Sequence, residues 1–101
     1  MHPLEAYVRA HQGGDPAAFL APGLAAKLDG VRLDREGVVA AIGRRPTGAL
    51  VEIVGQLDRD GEVAIIWRLV KDGRAVLEMA SRGRAGSDGL LVSLAERTTG
   101  P

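Results

Sequence analysis

The stretch "EVAIIWRLVKDGRAVLEMASR", residues 62–82, contains the clearest fold signal in the sequence. Two apolar runs, rich in residues that favour strands, flank the dipeptide Asp72-Gly73. This dipeptide favours a two-residue turn between antiparallel strands. The stretch therefore predicts a β-hairpin that turns at Asp72 and Gly73.

Pairing outward from this turn assigns the side chains of the hairpin to two faces. If both strands are regular, Lys71 lies opposite Arg74 and Trp67 lies opposite Glu78, and opposed residues share a face. A single β-bulge would exchange the faces of every residue beyond it. The face that contains Trp67 is then predicted to carry Val63, Ile65, Trp67, Leu69, Val76, Glu78, Ala80 and Arg82.

Further strands and helices surround the hairpin. The runs "ALVEIVGQL" and "LLVSLAER" extend it to a predicted meander of four strands, whereas "LAAKLDG" fits either a strand or a helix. Three helices are predicted before the meander, and the first carries Leu4, Tyr7, Val8 and His11 at helical spacing. The second is "DPAAFLA", capped by Asp15, and the third is "REGVVAAIG", capped by Asp34.

This order of elements predicts an α+β fold. The three N-terminal helices would pack on one face of a curved antiparallel sheet of four or more strands. At 101 residues, the chain is expected to form a single domain over residues 1–101. Both faces of the sheet are largely apolar, and the helices can cover only one of them. We therefore expect a homodimer through the sheet.

Composition narrows the classes of function. The 13 basic and 13 acidic residues balance, and no long run of like charge indicates nucleic-acid binding. The absence of cysteine excludes disulfides, thiolate catalysis and cysteine–zinc sites, and it is compatible with the cytoplasmic location that we expect. No run is apolar enough for a membrane span, and "MHPLEAY" does not resemble a signal peptide. We expect no metal and no organic cofactor.

The segment "AYVRAHQGGDPAAFLAPGL", together with a short helix and four meandering strands, resembles the nuclear-transport-factor-two-like superfamily. The shared features are an aromatic-bearing first helix that ends in "GGD", a short second helix and the late "DGLLVSL" strand. That superfamily includes ketosteroid isomerases and SnoaL-like polyketide cyclases. The resemblance implies a cone-shaped roll, in which the helices and the concave sheet face enclose a pocket.

Ketosteroid isomerase offers the most detailed comparison. Its catalytic tyrosine corresponds to Tyr7, and its general-base aspartate corresponds to Asp29 of "KLDG". Its third catalytic group, a protonated aspartic acid, has no counterpart. Counting from the hairpin turn places Arg82 there, and counting back from "DGLL" places Ser81 there. Neither side chain can act as a neutral carboxylic acid, which argues against steroid isomerisation itself.

The resemblance also assigns binding residues to the predicted pocket. Ile65, Trp67 and Leu69 are expected to line it, and Arg82 becomes an anchor for an anion or carbonyl if it points inward. His11 is interpreted as a core or rim residue, with a catalytic role as the alternative.

Each candidate catalytic residue also has a structural interpretation. Tyr7 can be a core tyrosine or a donor to a substrate oxyanion. Asp29 can be a turn residue or a general base. Glu78 can be a solvated or salt-bridged residue on an exposed sheet face. On an interior face its charge among apolar residues is costly unless it is paired, and it is then a candidate base.

The predicted function is proton-transfer chemistry on a small apolar organic ligand: isomerisation, cyclisation or epoxide opening, as in an epoxide hydrolase. The predicted catalytic residues are Asp29, Tyr7 and Glu78. The alternative is a non-catalytic ligand-binding or dimerisation module of the same fold. A pocket closed by side chains favours the alternative, and an open apolar cavity with an inward carboxylate favours the enzyme.

Overall fold

The computed structural model describes residues 1–101 and contains two α-helices, one 3₁₀ helix and six strands. In chain order these are α1 (Pro3–Ala10), the 3₁₀ helix (Pro16–Phe19), β1 (Leu20–Leu28), β2 (Val31–Leu33), α2 (Arg35–Gly43), β3 (Leu50–Arg59), β4 (Glu62–Lys71), β5 (Arg74–Ala85) and β6 (Leu91–Gly100).

All six strands form one sheet in the order β2-β1-β6-β5-β4-β3. Strands β3 to β6 are the antiparallel meander that the sequence predicts, and this prediction is confirmed. Strand β1 lies parallel to β6, and the short β2 pairs with β1 in the antiparallel direction. The ambiguous segment "LAAKLDG" therefore forms the second half of β1 and the turn that follows it.

The predicted layer of three helices is not confirmed. Helices α1 and α2 form as expected, and the carboxylate of Asp34 caps α2 by accepting a hydrogen bond from the amide of Gly37 at 2.8 Å. The second predicted helix is instead a single 3₁₀ turn capped by Asp15. The chain enters β1 at Leu20, where Leu20 and Ala21 are buried in the sheet, and only one helical turn fits before it.

The hairpin turn at Asp72-Gly73 is also confirmed. Both residues have positive φ, 54° and 75°, which is the conformation of a two-residue type I′ turn. The same pair of conformations closes two other hairpins of the sheet, at Asp29-Gly30 and at Asp60-Gly61.

The predicted assignment of faces fails three residues beyond the turn. Val70 pairs with Ala75, but Leu69 pairs with Leu77, so Val76 is an extra residue in β5. This bulge exchanges the faces of every later residue in the strand. Trp67 therefore lies opposite Met79, and Glu78, Ala80 and Arg82 lie on the face away from the helices.

We call the face that packs against α1 and α2 the inner face and the opposite one the outer face. Trp67, at 0 % exposure, lies near the middle of the inner face and is the largest fully buried side chain. Around it the core contains Leu4, Tyr7, Val8, Leu20, Leu24, Val38, Ala49, Val63, Ile65, Leu69, Met79, Leu91 and Leu94. Neither α-helix has the length and apolarity needed to cross a membrane.

Candidate functional site

A buried carboxylate lies at the centre of the inner face. Glu96 of β6 accepts hydrogen bonds from the Tyr7 hydroxyl at 2.7 Å and from Nη2 of Arg45 at 2.8 Å, both on Oε1. The Ser81 hydroxyl donates to Oε2 at 2.6 Å. The Glu96 carboxylate thus accepts hydrogen bonds from side chains of helix α1, of the segment after α2 and of strand β5.

Three further hydrogen bonds complete this polar network. Nη1 of Arg45 donates to the Tyr7 hydroxyl and to Nε2 of His11, each at 2.8 Å. The indole N–H of Trp67 donates to the Ser81 hydroxyl at 2.9 Å. The donors Tyr7, Arg45 and Ser81 therefore converge on the Glu96 carboxylate, whereas the branch through His11 ends on the backbone carbonyl of Tyr7. We call Tyr7, His11, Arg45, Trp67, Ser81 and Glu96 the interior network.

The Arg45–Glu96 ion pair is almost completely withdrawn from water. The side chains of Arg45 and Glu96 are 8 % and 2 % exposed. Such a pair is maintained only where additional hydrogen bonds offset the loss of hydration.

Burial and the Glu96 charge raise the pKa of Tyr7 well above its ordinary value. Burial lowers the pKa of Arg45, but the charge of Glu96, the interaction with Tyr7 and the hydrogen bonds to both residues together outweigh it, and the net shift of the pKa is upward. Tyr7 therefore stays a neutral phenol and Arg45 stays a cation.

The imidazole of His11 is held in its neutral form within the network. Burial, and secondly the Arg45 charge, lower its pKa from 6.5 to about 4. Its Nδ1 lies 2.9 Å from the carbonyl of Tyr7 and 3.2 Å from that of Val8, whereas its Nε2 faces a guanidinium N–H. These partners assign the proton to Nδ1 and the acceptor lone pair to Nε2.

This lowered pKa predicts a pH dependence of stability. Because folding disfavours protonated His11, its contribution is complete above pH 6.5 and is lost as the pH falls toward the folded pKa of about 4. We expect the free energy of unfolding to decrease by up to about 3 kcal/mol over this range from His11 alone. Urea unfolding between pH 7.5 and 4.5 measures the change, and His11→Gln removes the His11 component. An identical slope in the two proteins would contradict the assignment.

A cleft of about 200 Å³ opens beside the network, between the end of α2 and the inner face of β5 and β6. Arg45 is the network member that lines it. The hydrogen bonds of Arg45 are made by Nη1 and Nη2, so its Nε has no partner in the chain. The cleft is lined by Leu28, Ala41, Arg44, Arg45, Pro46, Leu77, Met79 and Thr98.

Asp29, the predicted general base, lies in the exposed turn between β1 and β2. Its carboxylate accepts hydrogen bonds from the amide and the hydroxyl of Thr98, at 2.7 and 3.0 Å. It belongs neither to the interior network nor to the lining of the cleft. The structure therefore favours the turn interpretation of Asp29.

Glu78 and Arg82, the other two predicted charged residues, lie on the outer face because of the bulge at Val76. Glu78 lies opposite Arg68 there, and Arg82 is exposed opposite Ala64. The inward placement expected of both residues is wrong. Ser81, the alternative that follows from counting back from "DGLL", faces inward instead.

The remaining predicted site residues do face the interior. Tyr7 and Trp67 are members of the network, and His11 joins them with its ring 4.7 Å from that of Trp67. Ile65 and Leu69 are fully packed core residues. None of these five lines the cleft. Ile65, Trp67 and Leu69 are packed into the core and do not form the wall of an open cleft.

Arg45 and Glu96 are the two central residues that the sequence analysis missed. Arg45 follows α2 in an irregular segment, "RRPTG", where no periodicity indicates burial. Glu96 follows the buried Leu94 by two positions in β6, which is the spacing of one strand face. That alternation was the available signal for an inward carboxylate.

No protein-family model and no curated protein matches the sequence. The fold, by contrast, matches many solved structures. One is an NTF2-like protein of unknown function from Burkholderia xenovorans LB400, with a TM-score of 0.74 and 16 % identity over 98 % of this chain and 81 % of that one. A SnoaL-like family protein from Agrobacterium tumefaciens str. C58 gives a TM-score of 0.73 and 16 % identity, over 97 % and 95 % of the two chains.

A third match is a hypothetical protein with a ketosteroid isomerase-like fold from Catenulispora acidiphila DSM 44928, solved in complex with trimethylamine. Its TM-score is 0.67 at 16 % identity, over 93 % of this chain and 82 % of that one. The chain therefore has the fold of the nuclear-transport-factor-two-like superfamily, and the fold implied by the sequence resemblance is confirmed. At this level of identity the likeness concerns the fold alone.

Proposed function

We propose that the protein binds a small organic molecule that presents an oxygen acceptor to Arg45 in the cleft. The observation that carries this proposal is that Arg45 lines the cleft with Nη1 and Nη2 fixed by Glu96, Tyr7 and His11, while its Nε makes no hydrogen bond within the chain. A donor held in this way loses little conformational freedom when a carbonyl, carboxylate or epoxide oxygen binds it.

The size of the cleft limits the ligand. A volume of about 200 Å³ is below the range of about 300–1,000 Å³ that is typical of drug-sized ligands. It holds roughly seven water-sized groups at about 30 Å³ each. The Catenulispora protein, which binds trimethylamine, supports the idea that this fold accepts ligands of that size. Here Arg44 and Arg45 line the cleft without an acidic lining residue, so an acceptor suits it better than a cationic amine.

Within this proposal the interior network is a support for Arg45. Glu96 neutralises the guanidinium and fixes its Nη2, while Tyr7 and His11 accept from Nη1. Leu77 and Met79 provide apolar walls for the body of the ligand. This closed arrangement is the condition under which the sequence analysis favours the binding module over the enzyme.

Cyclohexanone, with one carbonyl oxygen and six carbons, is a suitable probe. We expect it to shift the NMR amide signals of Met79 and Thr98 with a dissociation constant in the millimolar range. Leu77→Phe fills the cleft and should weaken binding by about tenfold or more. Leu50→Phe makes the same change at an exposed position on β3 that lines neither concave site, and it should leave binding unchanged. Equal affinity of all three proteins would refute the proposed site.

Proton-transfer catalysis is the second candidate, and the 2.7 Å hydrogen bond between the Tyr7 hydroxyl and the Glu96 carboxylate favours it. Glu96 does not line the cleft, so this chemistry requires Arg45 to turn away and open a path to the carboxylate. Glu96 could then take a proton from the α-carbon of a bound ketone while Arg45 stabilised the resulting enolate oxygen. Return of the proton to the α-carbon gives exchange alone, whereas its return to the γ-carbon of a β,γ-unsaturated ketone would move the double bond and complete an isomerisation. Cyclisation and epoxide opening need the same acid–base pair.

Hydrogen–deuterium exchange separates the two candidates. An enzyme incorporates deuterium at the α-carbon of cyclohexanone in D₂O faster than buffer does, whereas a binding module does not. If exchange is accelerated, Glu96→Gln should abolish it. Glu78→Gln, which changes a carboxylate on the outer face, serves as the matched control and should retain full activity.

A further inference from the structure

A second concave site lies on the outer face, away from the cleft. It is an open groove of about 950 Å³ that runs across the sheet from the β1–β2 turn to the middle of β3. Its floor consists of small or aliphatic side chains, among them Ala64, Ile66, Ala80 and Ala95. Ile66 is 55 % exposed, which is high for an isoleucine in a central strand.

Three cationic side chains, Lys27, Arg82 and Arg97, surround this floor. The strand register places Lys27 and Arg82 on either side of Ala95, because both residues pair with it across neighbouring strands. Arg97 pairs with Ala80 and is therefore the diagonal neighbour of Arg82, at a Cβ separation of about 7–8 Å. All three side chains are exposed on the same face.

None of these cations is neutralised by an ion pair within the chain. None of the three forms an ion pair within 4.0 Å, whereas Arg68 and Arg84 on the same face do so with Glu52 and Glu62. The groove is also lined by two acidic residues, Glu96 and Asp29. The carboxylate of Glu96 is paired with Arg45 in the interior network, whereas that of Asp29 accepts from Thr98 and keeps its charge. Three cations therefore face one carboxylate in the groove. Clustered like charges of this kind attract an anion.

We propose that this groove binds an amphipathic organic anion, with its carboxylate or phosphate among Lys27, Arg82 and Arg97 and its apolar tail along Ile66 and the alanine floor. The guanidinium groups supply charge-assisted hydrogen bonds to the anion. The groove, with a volume of about 950 Å³, can hold a ligand that has a tail of several carbons. This site is separate from the cleft at Arg45 and does not depend on the function proposed there.

The homodimer through the sheet stays a prediction that competes for the same surface. A second copy on a two-fold axis would bring the same three cations into the interface from each side. Glu52 and Glu62 are already paired, and Asp29 is held by Thr98, which leaves Glu78 as the free carboxylate of the central strands on this face. The charge arrangement therefore favours an anion over self-association.

Octanoate, octan-1-ol and acetate separate the contributions of charge and tail. We expect octanoate to shift the NMR amide signals of Ala80 and Ala95, and to bind about tenfold more tightly than either control ligand. Arg82→Gln should weaken octanoate binding about five- to tenfold and leave octan-1-ol binding unchanged. Arg74→Gln, at an exposed and unpaired arginine of the hairpin turn, should change neither.

Four results would overturn the proposal. They are no octanoate binding, equal affinity for octan-1-ol, equal losses in the two arginine variants, and a dimer by sedimentation whose formation prevents octanoate binding. The last result would assign the face to a second copy of the chain. Octanoate binding is measured from the amide signals of Ala80 and Ala95, and cyclohexanone binding from those of Met79 and Thr98. The proposal for the groove can therefore fail while the proposal for the cleft holds, and the reverse.

Discussion

Replacing Arg45 with methionine is expected to lower the free energy of unfolding by about 3–5 kcal/mol. The substitution keeps an unbranched side chain of similar length but leaves the Glu96 carboxylate, 2 % exposed, without its cation. It also removes the donors to the Tyr7 hydroxyl and to Nε2 of His11. A buried charge without its partner incurs the full loss of hydration, which is why removing one member costs more than the pair contributes.

The double variant Arg45→Met/Glu96→Leu provides the decisive comparison. Because both charges are absent, we expect it to recover most of the stability lost in the single variant. Arg68→Met, at the exposed ion pair with Glu52, is the control and should cost about 1 kcal/mol or less. Urea unfolding at pH 7.5, with the m-value as a check on two-state behaviour, measures all three variants. A loss below 1 kcal/mol for Arg45→Met would mean that the buried pair is not formed in solution.

The result also bears on why the network exists. A double variant as stable as the parent would indicate that the chain gains no net stability from its interior charges. A buried ion pair that adds no net stability is better explained by a functional site than by a role in folding. A large residual loss in the double variant would instead support a structural role. Cyclohexanone binding by the same variant then shows whether Arg45 acts on the ligand.

Turn chemistry explains why so much of the fold could be predicted from the sequence. An Asp-Gly pair with both residues at positive φ closes three of the hairpins, and its pattern is local and visible in the letters. The bulge at Val76 has no such signature, because nothing in "GRAVLEM" distinguishes an extra residue from a paired one. The pairing of Leu77 with Leu69 and of Met79 with Trp67, across to β4, decides it. One unpredicted residue was therefore enough to misplace Glu78 and Arg82.

The candidate site was harder to predict because its members are distant in sequence. Tyr7 and Glu96 are separated by 89 positions, and Arg45 and Glu96 by 51. The helical stripe correctly identified Tyr7 and His11 as inward polar groups in need of partners, but a local pattern cannot name those partners. Arg45 comes from an irregular segment, so only the packed structure brings it to the carboxylate.

Trp67→Ala should also lower the free energy of unfolding by about 3–5 kcal/mol. Trp67 is fully buried, and its loss leaves a cavity between the sheet and the helical layer. Its ring also packs against that of His11, with 4.7 Å between the centroids. A tryptophan in an open pocket wall would cost less, because water could fill the space. The size of the loss therefore tests whether the interior is closed.

Trp67→Phe separates packing from hydrogen bonding. Phenylalanine keeps much of the apolar volume but cannot donate to Ser81, whose hydroxyl in turn holds Oε2 of Glu96. We expect a loss of about 1–2 kcal/mol. Ser81→Ala, which interrupts the same chain of donors at its middle, should cost a similar amount in the same urea experiment. If the free energy of unfolding is unchanged in Trp67→Phe and lowered in Ser81→Ala, the indole contributes packing alone. In that case Tyr7, Arg45 and Ser81 orient Glu96 without the tryptophan.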